Sequence, residues 1–349
     1  MRGLGRRAGI LAFLSWGLAG LARGQVFTEF DSLSPDSFPS NITAGDDGNL
    51  WFSESGAGQI GRITTAGAVT EFSIPSAGSD PRGITSGPDG SIWFAESLTG
   101  LIGRLDAAGA FTEFPIPTAN SQPVGIAVGP DGNLWFTENV ANRIGRITLA
   151  GAITEFRIRT DGSQPYGIVS GPGGSLWFTE GNGNRIGRIT TAGLITEFEL
   201  PTPNSQPAGI AVGSDGGIWF TEYIGSRIGR ITTAGVITEY LTPTAHAGPI
   251  GIAAGADGNL WFTEIDANQI GRITTSGVID EFTIPTEGSG VVGIAAGSDG
   301  NLWFTEYANQ IGRISACIAT DTSPCQGIRG DVILSAPRSK PITLPDRPQ

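Results

Sequence analysis

The sequence predicts an all-β protein, a seven-bladed β-propeller of four-stranded antiparallel blades with the ring closed by the N-terminal strand. Three observations predict it. A Trp-Phe pair recurs seven times, at Trp51, Trp93, Trp135, Trp177, Trp219, Trp261 and Trp303, each 42 residues after the last. The first six copies each hold four short β-rich runs and the seventh holds three, and none is long enough for a helix among the 54 glycines and 22 prolines that punctuate the chain. A lone copy of the fourth run precedes the first repeat, and the last repeat has no fourth run. Four strands in a repeat of about 40–45 residues mark a propeller blade, not a solenoid coil.

One copy, residues 123–156, shows the elements in order. Gly125 to Val128 and Leu134 to Thr137 flank Asp131-Gly132, a strong hairpin signal. Ile144 to Thr148 and Ile153 to Phe156 flank a second tight turn at Leu149-Ala150-Gly151. At the front of the chain, Val26-Phe27-Thr28-Glu29-Phe30 copies the fourth strand, with Glu29 one period before Glu71. It is expected to pair into the seventh blade, which removes two strand edges that would otherwise template aggregation.

The ends differ from the repeat. Residues 1–24 combine the basic Arg2, Arg6 and Arg7, an apolar run from Ala8 to Ala22 and a small-residue cleavage site at Ala22-Arg23-Gly24. That pattern is a secretory signal peptide, with an apolar part too short for a membrane span. Residues 25–314 form the propeller and 315–349 a proline-bearing tail, expected to be a cap closed by a Cys317–Cys325 disulfide in an oxidising compartment. The expected location is secreted or periplasmic, and the expected state a monomer. The formal charge of −12 becomes about −16 without the four arginines of the leader. Such a chain does not bind nucleic acid through bulk electrostatics.

Two charged residues recur with the blade. Glu54, Glu96, Glu138, Glu180, Glu222, Glu264 and Glu306 follow the Trp-Phe pairs, and Arg62, Arg104, Arg146, Arg188, Arg230, Arg272 and Arg313 close the Ile-Gly-Arg runs. A ring of glutamates could hold a cation, but residues that recur together are expected to pair as scaffold ion pairs. Function is expected where the copies differ. The residue before each Gly-Ile of the innermost strand should ring one mouth of the central channel: Ser40, Arg82, Val124, Tyr166, Ala208, Ile250 and Val292. Arg82 and Tyr166 alone among these make strong directed polar contacts. Loops on the same side add Tyr223, Asp266 and Tyr307, and the loop entering blade six carries His246, the sole histidine. Arg82, Tyr166, Tyr223, His246 and Tyr307 are therefore the candidate ligand-binding residues, for a small molecule or a protein at the channel mouth.

The run G-x-D-G-x-L-W-F-T-E…N-x-I-G-R-I-T-x-x-G-x-I-T-E-F resembles the streptogramin B lyase (virginiamycin B lyase) family over Gln25 to Ile314. The Gly-His…Trp-Asp signature of WD40 blades is missing. The resemblance implies a seven-bladed propeller that opens a cyclic depsipeptide by elimination at its ester, with magnesium. It also implies histidines in the last two inner strands, where this chain has Ile250 and Val292, and glutamates where it has Gly290 and Tyr307. Two functional expectations follow. One is an exported binding module that keeps the scaffold without the family's lyase chemistry. The alternative is a divergent magnesium-dependent lyase, or a hydrolase, using other residues such as His246. The residues themselves indicate no cofactor, and magnesium enters only through the resemblance.

Overall fold

A computed structural model describes residues 25–31 and 33–315; the leader, the tail and Cys317 and Cys325 lie outside the described residues. Among the described residues, twenty-eight strands form seven four-stranded antiparallel sheets. Six sheets run in chain order and occupy residues 39–73, 81–115, 123–157, 165–199, 207–241 and 249–283. The seventh joins strands in 291–314 to the N-terminal strand Phe27–Phe30, with Phe27 opposite Ile314 and Phe30 opposite Ile311. The borrowed strand performs the fourth-strand duties: Phe30 stacks on Trp303 at 5.4 Å, as Phe156 stacks on Trp135 at 5.5 Å.

The recurring residues make the seams between blades. Trp93 of blade two is buried against Ile126, Leu134, Phe136 and Ile147 of blade three, and equivalent clusters fill the other seams. The Phe of each Trp-Phe pair lies flat across its neighbouring strand, which explains the Gly of Ile-Gly-Arg: a Cβ at Gly145 would stand 2.1 Å from Phe136. Each Ile-Gly-Arg arginine lies over its blade's Trp ring, at 5.2 to 5.8 Å. The turn aspartate accepts the indole N–H, as from Trp135 to Asp131 at 3.0 Å. Blade four has Gly173 at that position, and the buried Trp177 N–H has no partner.

The structure corrects the expected Glu–Arg pairing. Trp135 stands opposite Arg146 and Glu138 opposite Arg143, so the two recurring charges of each blade lie at different ends of the pairing between its second and third strands. Each second-strand glutamate is buried beside a glutamate of the fourth strand instead, Glu54 beside Glu71 and Glu138 beside Glu155. The fourth-strand partner is anchored by the loop from the preceding blade: Thr244 donates to Glu281 through N–H at 3.0 Å and Oγ1 at 2.6 Å, and Thr286 reaches Glu29 likewise. Neither oxygen of Glu54, Glu138 or Glu264 meets an N–H or O–H donor among the described residues. A shared proton between the two carboxyls satisfies that geometry. Burial, reinforced by the neighbouring carboxylate, pushes these glutamates to about 8, and Glu96 to about 7.

At the axis, the inner strands come so close that a Cβ at Gly125 would meet the Tyr166 carbonyl at 2.4 Å. A buried hydroxyl fastens each contact. Thr137 Oγ1 accepts the Gly125 N–H at 2.8 Å and donates to the Tyr166 carbonyl of the next blade at 2.8 Å. The same relay runs through Ser53, Thr179, Thr221, Thr263 and Thr305, the last donating to Ser40 across the closure. Blade two breaks it, because the position is Ala95.

Two predictions follow from this packing. Thr137→Ala should cost about 1–3 kcal/mol in denaturant unfolding, and Ala95→Thr should gain about 1 kcal/mol by completing the relay; a neutral Thr137→Ala would contradict the role given to the hydroxyl. The second concerns pH. The folded glutamates hold protons that an unfolded chain releases near 4.5, so stability falls as pH rises between about 4.5 and 8 and levels off above. Thermal unfolding at constant ionic strength should show this decline, and Glu138→Gln should make it shallower. A midpoint that rises from pH 5 to 8 would contradict the shared-proton pairs.

Candidate functional site

The central channel encloses about 160 Å³ and is lined by all seven inner strands. Of the seven mouth positions, Val124, Tyr166, Ile250 and Val292 line this space, while Ser40 and Ala208 are buried. Asn41 stands where the other copies have Gly, and its side chain faces the channel lining.

One polar cluster forms at the mouth, on blade two. Arg82 Nε donates to the Asp80 carboxylate at 3.0 Å, and both side chains are partly covered, 37% and 15% exposed. Tyr166 of blade four and Tyr307 of blade seven lie within electrostatic reach of the guanidinium. Burial opposes the Arg82 charge, but Asp80, Tyr307 and Tyr166 together hold its pKa above the ordinary value. Burial raises the Tyr166 phenol, Tyr307 adds to the rise and Arg82 opposes it. At neutral pH the cluster is a fixed cation beside a phenol kept protonated.

Three of the five sequence candidates, Arg82, Tyr166 and Tyr307, thus lie within electrostatic reach of one another. The other two lie on blades five and six. Tyr223 stands with Asp266 around Gly248, where an added Cβ would meet both side chains. His246 is an exposed turn residue at φ +56, and the matching position in other copies holds Asn120, Asn204 or Gly288, also at positive φ. It belongs to the turn and is not drawn into the Arg82 cluster.

Asp80 was missed by the sequence reading, though a signal existed. Its repeat position holds Phe38, Gln122, Gln164, Gln206, Gly248 and Gly290 elsewhere, so Asp80 is the sole carboxylate there. Asp80-Pro81-Arg82 in blade two therefore occupies the register of Gly290-Val291-Val292 in blade seven, where the family resemblance expects a glutamate and a histidine. Gly290 and Tyr307 are themselves in contact: a Cβ at Gly290 would lie 3.1 Å from the Tyr307 Cβ, on a backbone with φ +67. The tyrosine fills space that a side chain at 290 would need. Neither position supplies a carboxylate, and among the described residues no three His, Cys, Asp or Glu side chains gather to hold a metal. The residues present do not fit the magnesium ion that the resemblance implies.

A closed ring of seven four-stranded antiparallel sheets defines a seven-bladed β-propeller. The particular kind follows from comparison. The profile of the virginiamycin B lyase family matches residues 21–165 and 126–326, and the chain belongs to that family. It is similar to a streptogramin B lyase structure, with 42% identity and a TM-score of 0.81 over 83% of this chain and 97% of that one. The virginiamycin B lyase of Staphylococcus aureus gives the same identity and TM-score over 84% of this chain and 100% of its own. So does a catalytically inactive histidine-to-alanine variant of that enzyme, in a structure with quinupristin. Among curated proteins, none matches the chain.

The contact between 290 and 307 can be tested directly. Gly290→Ala should cost about 1–2 kcal/mol, and about 0.5 kcal/mol or more of that cost should vanish in a Tyr307→Ala background. Strictly additive losses in a double-mutant cycle would show that the two positions do not share space.

Proposed function

We propose that this chain is an exported lyase of its family's reaction class, opening a cyclic depsipeptide by elimination at an ester. In this account the ligand sits on the Arg82–Tyr166–Tyr307 mouth. The supporting observation is 42% identity with streptogramin B lyases over 97–100% of their length. Elimination at an ester needs positive charge where the leaving carboxylate gains electron density, and a group that takes the proton. Arg82, held by Asp80, supplies the charge that receives the departing carboxylate, and Tyr166 donates a hydrogen bond to its oxygen. Tyr307, on another blade within electrostatic reach of the same guanidinium, takes the proton removed from the carbon next to the carbonyl.

A second reading is favoured by one observation. The relative without its histidine is inactive yet is found with quinupristin, and this chain has Ile250 and Val292 where the family resemblance places histidines. A propeller of this composition would hold such a ligand at the channel mouth without turning it over.

Incubating residues 25–349 with quinupristin separates the two. The lyase reading expects a ring-opened product by mass spectrometry, lost by at least about 100-fold in Arg82→Gln or Tyr307→Phe. It also expects that product to persist in His246→Ala. Binding by calorimetry with no product at high enzyme concentration would establish the binding module. Product formation abolished only by His246→Ala would move the chemistry to the blade-six loop.

A further inference from the structure

We propose that the blade-two mouth is a receptor for a carboxylate, and that it holds the carboxylate released when an ester ring opens; that role in turnover rests on the lyase reading above, whereas the receptor rests on geometry. Asp80 engages Arg82 through Nε with both carboxylate oxygens at 3.0 Å. The two terminal amino groups of the guanidinium make no hydrogen bond to the described residues, and the side chain is 37% exposed. A guanidinium held from behind presents a two-pronged donor face, which matches the two oxygens of a carboxylate. Tyr166 and Tyr307 lie within electrostatic reach of the same guanidinium.

The surroundings narrow the ligand further. Arg82 is the only charged residue among the seven mouth positions. The charge of Asp80 offsets that of Arg82, so the face recognises a monoanion by hydrogen bonding more than a dianion such as phosphate by net charge. The lining at Val124, Ile250 and Val292 is apolar, which suits the side chains of a peptide-like acid. The scaffold also changes at this place. Ala95 removes the hydroxyl relay only at the seam of blades two and three, so the Gly83 N–H and the Val124 carbonyl lack the partner their counterparts have. Both residues line the channel beside Arg82. A repeat that breaks its own rule next to its sole mouth cation marks a functional position.

Elimination at an ester produces the matching group. A C–H bond next to the carbonyl breaks and its electron pair becomes the new C=C bond. The C–O bond beyond it breaks, and that pair leaves on the carboxylate while the proton passes to the base. Nothing is oxidised or reduced. Binding the leaving carboxylate strengthens as charge develops on it, which is the condition for catalytic use of the contact.

The test compares ring-opened quinupristin bearing its free carboxylate with the same molecule converted to the primary amide, by calorimetry on residues 25–349. The acid should bind about tenfold tighter than the amide, because hydrogen bonds to charged groups exceed neutral ones. Arg82→Gln should erase the difference and Arg82→Lys restore part of it, with unfolding midpoints confirming that each variant is folded. Equal affinities, a preference that survives Arg82→Gln, or no binding of either form at millimolar concentration would overturn the receptor. Cyclic quinupristin tells the two ideas apart. A carboxylate preference without turnover keeps the receptor and removes the lyase, whereas turnover without the preference does the reverse.

Discussion

Seven inner strands converge on one axis, and their approach leaves no room for a Cβ where Gly125 meets the Tyr166 carbonyl. This contact sets most of what the molecule can do. It fixes the backbone on both sides of each glycine, and the hydroxyls of Thr137 and its equivalents lock the carbonyl that faces it. The residue just before the glycine is left with a fixed position and a free choice of side chain. A rigid ring of variable positions around a channel is a means of holding directed groups at defined places. In this chain most of those positions are spent on apolar or small residues, and the polar investment is concentrated at Arg82.

The acidic character of the chain has a different origin from its site. Formal counting gives a net charge of −12, but seven of the glutamates counted are buried beside a second carboxyl. With their pKa raised by burial to about 8, and to about 7 for Glu96, they hold much of their charge back at neutral pH. Their partners stay anchored by loop donors such as Thr244 and Thr286, so each acid pair ties a blade to the connection entering it. The pairs are part of the scaffold, and the mouth of the channel owes its cation to Arg82 alone.

Much of the fold was legible because the repeat is strict. The Trp-Phe spacing, the turn residues and the displaced fourth strand at Phe27–Phe30 determine blade number, strand order and closure. The Glu–Arg pairing was misjudged because recurrence in sequence does not say which end of a strand a side chain occupies; the register Trp135–Arg146 against Glu138–Arg143 decides it. For the site, sequence pointed to Arg82, Tyr166 and Tyr307 as departures from the repeat, and the ring brings them, from blades two, four and seven, within electrostatic reach of one another. Asp80 escaped notice because its meaning depends on the Arg82 Nε contact, and the Gly290–Tyr307 packing is invisible without coordinates. His246 stood out by residue type, and the structure places it in a turn at positive φ that Asn or Gly occupies in other copies.

We propose that ligand recognition in this chain lies at the Asp80-Pro81-Arg82 register of blade two. A crystal structure of residues 25–349 with quinupristin tests it most directly. Density packed against Arg82, Tyr166 and Tyr307, with a carbonyl or carboxylate on the guanidinium, is the predicted result. A ligand centred on Ile250 and Val292 without touching Arg82, or bound on the opposite face of the ring, would contradict it.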